Sequence, residues 1–329
     1  MKPRVIVGPA PVRDIPHTYV PVLEPRFEVV YPARKAQMTE AELLAQLPGC
    51  VASLAGSEPY TRKVIEVAAA AGLKLIARAG VGYDGIDVRA ATDHNVLVTY
   101  APGSNHEAVG EHALLLMLAL CKDLLMQHRE TVAGRWPRIA QQPLRGRTLG
   151  LIGLGRTGKA VATRALAFGM TVIAADPYVD DAFSQTHGVR RTTHDEVFLK
   201  SDIVSLHVPL TPETRNLVNA GTLGVMKPTA FMVNTSRGEV VNEADLFTAL
   251  MTKRIAAAAL DVFEREPLVG SPLQTLDNVI LTAHTAGVDI RSREDMAHFA
   301  ALAIAKLFNG EWPAEWVVNP ELKGTWRAG

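Results

Sequence analysis

The sequence predicts an α/β protein built on doubly wound parallel sheets, and three observations carry that prediction. Short runs rich in β-branched and aliphatic residues alternate with helical patterns almost from end to end, as parallel strand–helix–strand construction requires. A glycine-rich turn joins one of these strands to the helix after it. The 329 residues exceed the ~150 of a usual domain, so two domains are expected.

Taken in order, residues 5–7, 51–54, 73–77 and 96–98 read as strands, with a helix over 61–71 between the second and third. Residues 105–128 read as one long helix with an apolar face, and Pro143 with Gly146 closes the connection after it. A second series then has strands at 148–152, 171–175, 203–206, 230–233, 256–260 and 279–281, and six strands with intervening helices suit a doubly wound sheet. After His284 comes a long amphipathic helix, 291–308, and a tail with Trp and Pro that is expected to rejoin the first domain. The expected division is 1–100 plus 286–329 for one domain and 101–285 for the other. There is no solenoid-period repeat and no low-complexity stretch.

Composition removes several functional classes. The 34 basic residues balance the 34 acidic ones, so no global field holds nucleic acid or an anionic membrane, and neither partner is expected. The longest apolar run, 113–121, lies between Glu111-His112 and Lys122-Asp123 and is far shorter than the ~18 residues of a membrane span; it reads as a buried helix. Lys2 and Arg4 lead directly into Val5-Ile6-Val7 without the apolar core of a signal peptide. Cys50 and Cys121 imply no disulfide framework, so the cytoplasm is the expected compartment and each cysteine reads as a small core residue. No metal site is expected.

The glycine-rich turn is Gly153-x-Gly155-x-x-Gly158, placed between a strand at 148–152 and a helix starting near Arg156. Its first glycine makes a tight turn, its second lets backbone approach a pyrophosphate, and its third lets helix and strand pack closely, with the helix N-terminus facing the anion. An acid, Asp176, ends the next strand 18 residues past Gly158. It can accept hydrogen bonds from ribose hydroxyls but repels a 2′-phosphate, and Pro177-Tyr178 stand where an NADP enzyme prefers Arg. A Rossmann-like domain holding NAD is therefore expected.

Hydride transfer from a nicotinamide to a carbonyl also needs a proton donor to the carbonyl oxygen and, for an acidic substrate, a cation that holds the carboxylate. Arg237 follows a strand in Asn234-Thr235-Ser236-Arg237-Gly238, at the carboxyl end where doubly wound sheets place ligands, and its guanidinium can grip a carboxylate bidentately. His284 is expected to end the sixth strand, and a nearby carboxylate on one ring nitrogen would leave the other to give or take a proton. Glu264 and Glu266, two residues apart just past the fifth strand, are both candidates for that carboxylate; spacing does not choose between them.

These segments, with Arg78-Ala79-Gly80-Val81-Gly82-Tyr83-Asp84, residues 105–120, His207-Val208-Pro209-Leu210-Thr211-Pro212-Glu213-Thr214, 260–267 and 284–287, resemble the D-isomer-specific 2-hydroxyacid dehydrogenase family over nearly the whole chain. That family includes phosphoglycerate, glycerate/hydroxypyruvate, D-lactate and formate dehydrogenases. The resemblance implies an NAD(H)-dependent enzyme for a small D-2-hydroxy or 2-keto acid such as glyoxylate or hydroxypyruvate, with Arg237, Glu266 and His284 as the catalytic set. Arg156 and Thr157 then meet the pyrophosphate, and His207, Val208 and Pro209 line the adenosine side. Thr235, Arg237 and His284 flank the nicotinamide, and Asp261 receives its carboxamide. Thr214, Ser236 and Gly287 belong to the same cofactor-binding segments. Gly80, Val81 and Gly82 offer N–H groups to the substrate carboxylate, Asn105 supports the cleft, and Arg78 is a candidate distal anion contact. The resemblance further implies a discontinuous, flavodoxin-like substrate domain made from both chain ends, and a homodimer formed through the long helix and its neighbours.

The departures concern the substrate. Members taking phosphorylated acids carry a second basic residue near the place of Leu54-Ala55-Gly56-Ser57, and here that base is missing and Glu58 follows. An unphosphorylated acid is expected, with phosphoglycerate as the alternative. Formate-type members place Gln where Glu266 stands, because formate has no hydroxyl proton to manage. The family commonly has Pro before the histidine, and Ala283 here implies a slightly altered turn with unchanged chemistry. Two further readings are an NAD-sensing, non-catalytic protein on the same scaffold, which the complete Arg, Glu and His set opposes, and a thioether hydrolase, which the Gly80 loop opposes.

Overall fold

The computed structural model describes residues 2–178 and 180–328. The chain divides into two compact units, Met1–Asn105 with Val288–Gly329, and His106–Gly287.

The first unit holds a five-stranded sheet in the order β2-β1-β3-β4-β5, where β1 is Arg4–Val7, β2 Glu28–Val30, β3 Cys50–Ala55, β4 Leu75–Arg78 and β5 Leu97–Thr99. Every pairing within it is parallel. Side chains of a strand alternate between faces, so Val5 and Val7 enter one core layer with Leu54, Leu75 and Ala77, while Ile6 enters the other with Ile76 and Val98. Both layers are covered, which is why the strands read as continuous apolar runs. The helix Arg62–Ala70 supplies Val64, Ile65 and Ala68 to the second layer. The helix Ile290–Phe308, from the far end of the chain, covers the first with Met296, Ala300, Ile304 and Leu307, a stripe at helical spacing. Asp289 caps that helix by accepting from Ser292 N at 2.6 Å. The tail behind it is tied to β5 by Asn319, whose buried amide accepts from Val98 N at 2.9 Å and donates to Val96 O at 3.0 Å.

The second unit holds a seven-stranded sheet, order β12-β11-β10-β9-β6-β7-β8. These are β6 Thr148–Ile152, β7 Thr171–Ala175, β8 Arg190–Arg191, β9 Ile203–Leu206, β10 Phe231–Asn234, β11 Ala257–Leu260 and β12 Val279–Leu281, all paired in parallel. The order reverses between β6 and β9, the switch point where doubly wound sheets leave a crevice at the carboxyl ends of their strands. Each fully buried Val, Leu or Ile of this core contributes roughly 1.5–3 kcal/mol.

The α/β prediction with two parallel sheets holds, and the structure corrects three details. The sheets contain two short edge strands that the expected series lacks, β2 and β8; β8 is two exposed arginines, a charged edge that resists further pairing. The expected single helix over 105–128 is two helices, His106–Cys121 and Leu124–Val132, because Asp123 turns left-handed at φ 49°. Asp tolerates that conformation, and the carbonyls freed by the break are satisfied by Gln142 N on Cys121 O at 3.0 Å and the Gln127 amide on Lys122 O at 2.7 Å. His284 lies three residues beyond the end of β12, in a loop. Among the described residues no helix is long and apolar enough to cross a membrane.

Candidate active site

The glycine turn follows β6 directly, and its three glycines have different reasons. Gly153 is left-handed at φ 97°, and a Cβ there would run into the His207 carbonyl; a Cβ on Gly158 would run into the Gly153 carbonyl. The chain's own packing therefore demands those two. A Cβ on Gly155 would meet nothing within 4 Å, so that position has no internal cause, and a ligand approaching the backbone from outside supplies one. Gly155 also begins the helix Arg156–Ala167 without a side-chain cap, leaving its first N–H groups directed outward beside exposed Arg156 and half-buried Thr157. Asp176 accepts from Leu154 N at 2.6 Å on one oxygen and from Tyr178 N at 2.7 Å on the other, so it braces the turn while each oxygen keeps acceptor capacity for a sugar hydroxyl.

Two buried polar atoms mark the neighbouring strand ends. His207, just past β9, has Nε2 bonded to Ser205 Oγ at 2.9 Å, while its buried Nδ1 lacks a hydrogen-bond partner among the described residues. Burial pushes its pKa down to about 4, so the ring is neutral at ordinary pH. Thr235 Oγ1, just past β10, is likewise buried without such a partner. Each leaves hydrogen-bonding capacity at a strand's carboxyl end that a polar ligand can take up. Thr214 braces the 207–214 loop, donating to Pro209 O at 2.7 Å.

The acid–base group lies at the ends of β10, β11 and β12. Buried Asn234 folds the turn after β10: its Oδ1 accepts from Ser236 N at 3.0 Å and Ser236 Oγ at 2.7 Å, and its Nδ2 donates to Arg237 O at 2.8 Å. A Cβ on Gly238 would overlap the Phe263 carbonyl, so this turn presses against the loop that carries Glu266. Glu266 Oε1 accepts from Phe263 N at 3.0 Å, and Oε2 lies 2.7 Å from His284 Nδ1. Partial burial works to raise the Glu266 pKa. The His284 hydrogen bond and charge, the Phe263 N–H and the Arg237 charge outweigh it and hold the carboxyl below the usual range. Glu264 faces elsewhere, accepting from Glu243 N at 3.0 Å. The acid that meets His284 is thus Glu266. With Nδ1 turned to an acceptor, Nε2 of the half-exposed ring is the nitrogen left for a reactant.

Comparison with known proteins shows which family the chain resembles. A family model for the D-isomer specific 2-hydroxyacid dehydrogenase NAD binding domain matches residues 114–286. A glyoxylate reductase of Korarchaeum cryptofilum is 37% identical over 98% of this chain and 97% of its own length. The chain belongs to the D-isomer specific 2-hydroxyacid dehydrogenase family. A D-3-phosphoglycerate dehydrogenase of Methanocaldococcus jannaschii is 40% identical over 86% of this chain, but the chain spans only 54% of that relative. The solved D-lactate dehydrogenase of Aquifex aeolicus, complexed with NAD and lactic acid, has a TM-score of 0.85 and 27% identity, covering 95% of this chain and 98% of that one. The protein is an NAD-dependent oxidoreductase of hydroxy acids.

Other residues of this dehydrogenase are placed as follows. Arg78 donates to Gly82 O at 2.9 Å, Ala79 O at 2.5 Å and Ser57 Oγ at 3.2 Å, so its guanidinium braces the loop of Gly80, Val81 and Gly82. A Cβ on Gly80 would lie 2.5 Å from Arg78 Nη1, so a larger residue there would displace the guanidinium from this brace. Glu58 is buried, accepts from Gly56 N at 2.5 Å, and has its pKa raised by burial. Asn105 is half-buried just before the helix His106–Cys121, and Gly287, also half-buried, ends the second unit's span. Asp261 is fully buried and receives Thr282 Oγ1 at 2.6 Å, Thr285 N at 2.9 Å and Ala286 N at 2.8 Å. Two residues beside it are given no role by any motif, Thr282 and His112: Thr282 Oγ1 and His112 Nε2 lie 3.1 Å apart. A lone histidine beside an apolar helical run was the only available signal.

Proposed function

We propose that the enzyme interconverts a small unphosphorylated 2-keto acid, such as glyoxylate or hydroxypyruvate, and its D-2-hydroxy acid, with Arg237, Glu266 and His284 as the catalytic set. The observation that carries the reading is the 2.7 Å contact between His284 Nδ1 and a Glu266 carboxyl held below its usual pKa range. NADH, when bound, supplies the hydride that reaches the carbonyl carbon. His284 gives its Nε2 proton to the carbonyl oxygen, and Glu266 supports the ring through Nδ1–H while that proton is held. Arg237 grips the carboxylate and draws charge onto the carbonyl oxygen as it develops. In oxidation His284 Nε2 takes the hydroxyl proton instead. Following the family resemblance, we assign the N–H groups at 80–82 and Asn105 to the substrate, and Asp176, His207 and Thr235 to the cofactor. The absence of a base at 54–57 and the buried acid Glu58 behind Ser57 favour a substrate without a second anionic group.

NADH oxidation, followed by absorbance with glyoxylate, hydroxypyruvate, pyruvate, 2-ketobutyrate and phosphohydroxypyruvate, tests this reading. The expected order puts glyoxylate or hydroxypyruvate first and phosphohydroxypyruvate well below them, with NADH preferred to NADPH. A preference for the phosphorylated acid overturns the substrate assignment, and equal use of NADPH contradicts the role of Asp176.

We further propose a homodimer in the cytoplasm. Leu115, Leu124, Leu125, Val132, Trp136 and Ile139 are all exposed along the helices His106–Cys121 and Leu124–Val132 and the segment after them, apolar side chains that a second copy would cover. Both cysteines are free and buried, which suits a reducing compartment. Sedimentation velocity should give a dimer that Trp136→Glu weakens; a monomeric wild type rejects this assignment.

A further inference from the structure

We propose that His112 is a positioning residue for His284, acting through Thr282 and Asp261. The inference rests on the dehydrogenase reading above.

The loop that carries His284 is anchored on one buried residue. Asp261 receives Thr282 Oγ1 and Thr285 N on Oδ1, Ala286 N on Oδ2, and His284 N on its backbone carbonyl at 2.8 Å. His284 sits at the middle of this loop at φ 53°, a left-handed conformation that a β-carbon disfavours and that surrounding ties must hold. Its side chain can meet Glu266 only while the loop keeps that shape.

His112 completes the anchor from a different element. Its Nε2 lies 3.1 Å from Thr282 Oγ1 and 3.6 Å from Asp261 Oδ1, with its own side chain 16% exposed and that of Asp261 1% exposed. The proton directions follow from the donors available. A threonine hydroxyl has one proton, and here a carboxylate, which can only accept, lies 2.6 Å away. That proton goes to Asp261, so a Thr282 lone pair faces His112 and Nε2 of His112 is the donor. The helix bearing His112 is a firm support: Ala108, Ala113 and Met117 are buried, and Gly110 allows so close an approach that a Cβ there would lie 3.0 Å from the Ala160 Cβ. The chain of contacts therefore runs from a packed helix through His112 Nε2–H and the Thr282 hydroxyl to Asp261, and from Asp261 to both flanks of His284. No step of the proton or hydride transfer uses His112; its effect is on where the His284 ring points.

Two substitutions in the full chain separate this role from simple packing. His112→Leu removes the donor and keeps an apolar bulk, whereas His112→Gln places an amide N–H where Nε2 stood. The direct readout is the downfield proton resonance of His284 Nδ1–H bonded to Glu266, assigned by its loss in His284→Gln. It is expected to shift or broaden in His112→Leu and to persist in His112→Gln. In the assay, His112→Leu should lower kcat by about tenfold with little change in NADH affinity, and His112→Gln should recover most of the loss. Thr282→Val, which removes the relaying hydroxyl but keeps the side-chain shape, should reproduce the His112→Leu pattern and serves if that variant does not fold. An unmoved resonance in His112→Leu or Thr282→Val overturns the inference, as does equal damage from Leu and Gln. The resonance reports on the loop whether or not the substrate panel shows turnover, so a failed dehydrogenase reading and a failed positioning role remain distinguishable.

Discussion

Replacing His284 by Gln is expected to lower kcat for keto-acid reduction by roughly 10³-fold, the middle of the range for a positioned general acid. The amide can still hydrogen-bond Glu266, but it cannot deliver a proton to a carbonyl oxygen as its charge builds. NADH affinity, read by quenching or enhancement of the bound nicotinamide's fluorescence, should change little, because the imidazole acts on the proton in flight and not on the dinucleotide. The loss should therefore appear in kcat and kcat/KM together. A variant with near-normal kcat would falsify the assignment of His284 as the proton donor, whatever its NADH affinity.

Arg237→Gln is expected to lower kcat/KM by roughly 10³-fold, through both a raised KM and a reduced kcat. The KM effect comes from losing the grip on the substrate carboxylate, and the kcat effect from losing charge beside the carbonyl oxygen in the transition state. Arg237→Lys restores a charge without the planar fork and should recover only part of the loss, since the ammonium cannot make the paired contact. Steady-state kinetics with the best keto acid checks this. If Arg237→Gln raises KM and leaves kcat untouched, Arg237 merely holds the substrate and the polarising role is wrong. The turn behind it constrains the choice of variants: Asn234 and Gly238 shape the backbone of Arg237 and should be left alone.

Much of this enzyme is legible in its sequence, for physical reasons that differ by residue. The buried parallel strands announced themselves as apolar runs because both of their faces are covered, and four strands of the second unit, β6, β7, β9 and β12, begin and end at the expected residues. The edge strand β8 escaped notice for the opposite reason: Arg190–Arg191 buries nothing and leaves no apolar trace. The break at Asp123 was hidden because the apolar pattern continues through Leu124 and Leu125, which turn out to be exposed.

By itself, the sequence determined the α/β class, the dinucleotide turn and the presence of an arginine, a histidine and two acids near strand ends, since strand periodicity and glycine spacing are local properties. Only the tertiary structure decided which acid serves the histidine. Glu264 and Glu266 are neighbours in the chain, yet one turns to Glu243 and the other to His284, because the Phe263 N–H and the pressed turn at Gly238 aim them apart. It also decided how Arg78 and Asp261 are used. Each carries donors or acceptors that a motif assigns to a ligand, and each spends several of them on loop backbone contributed by distant or neighbouring residues. Hydrogen-bond capacity is finite, and where it goes depends on contacts between residues far apart in the chain, which spacing alone does not encode.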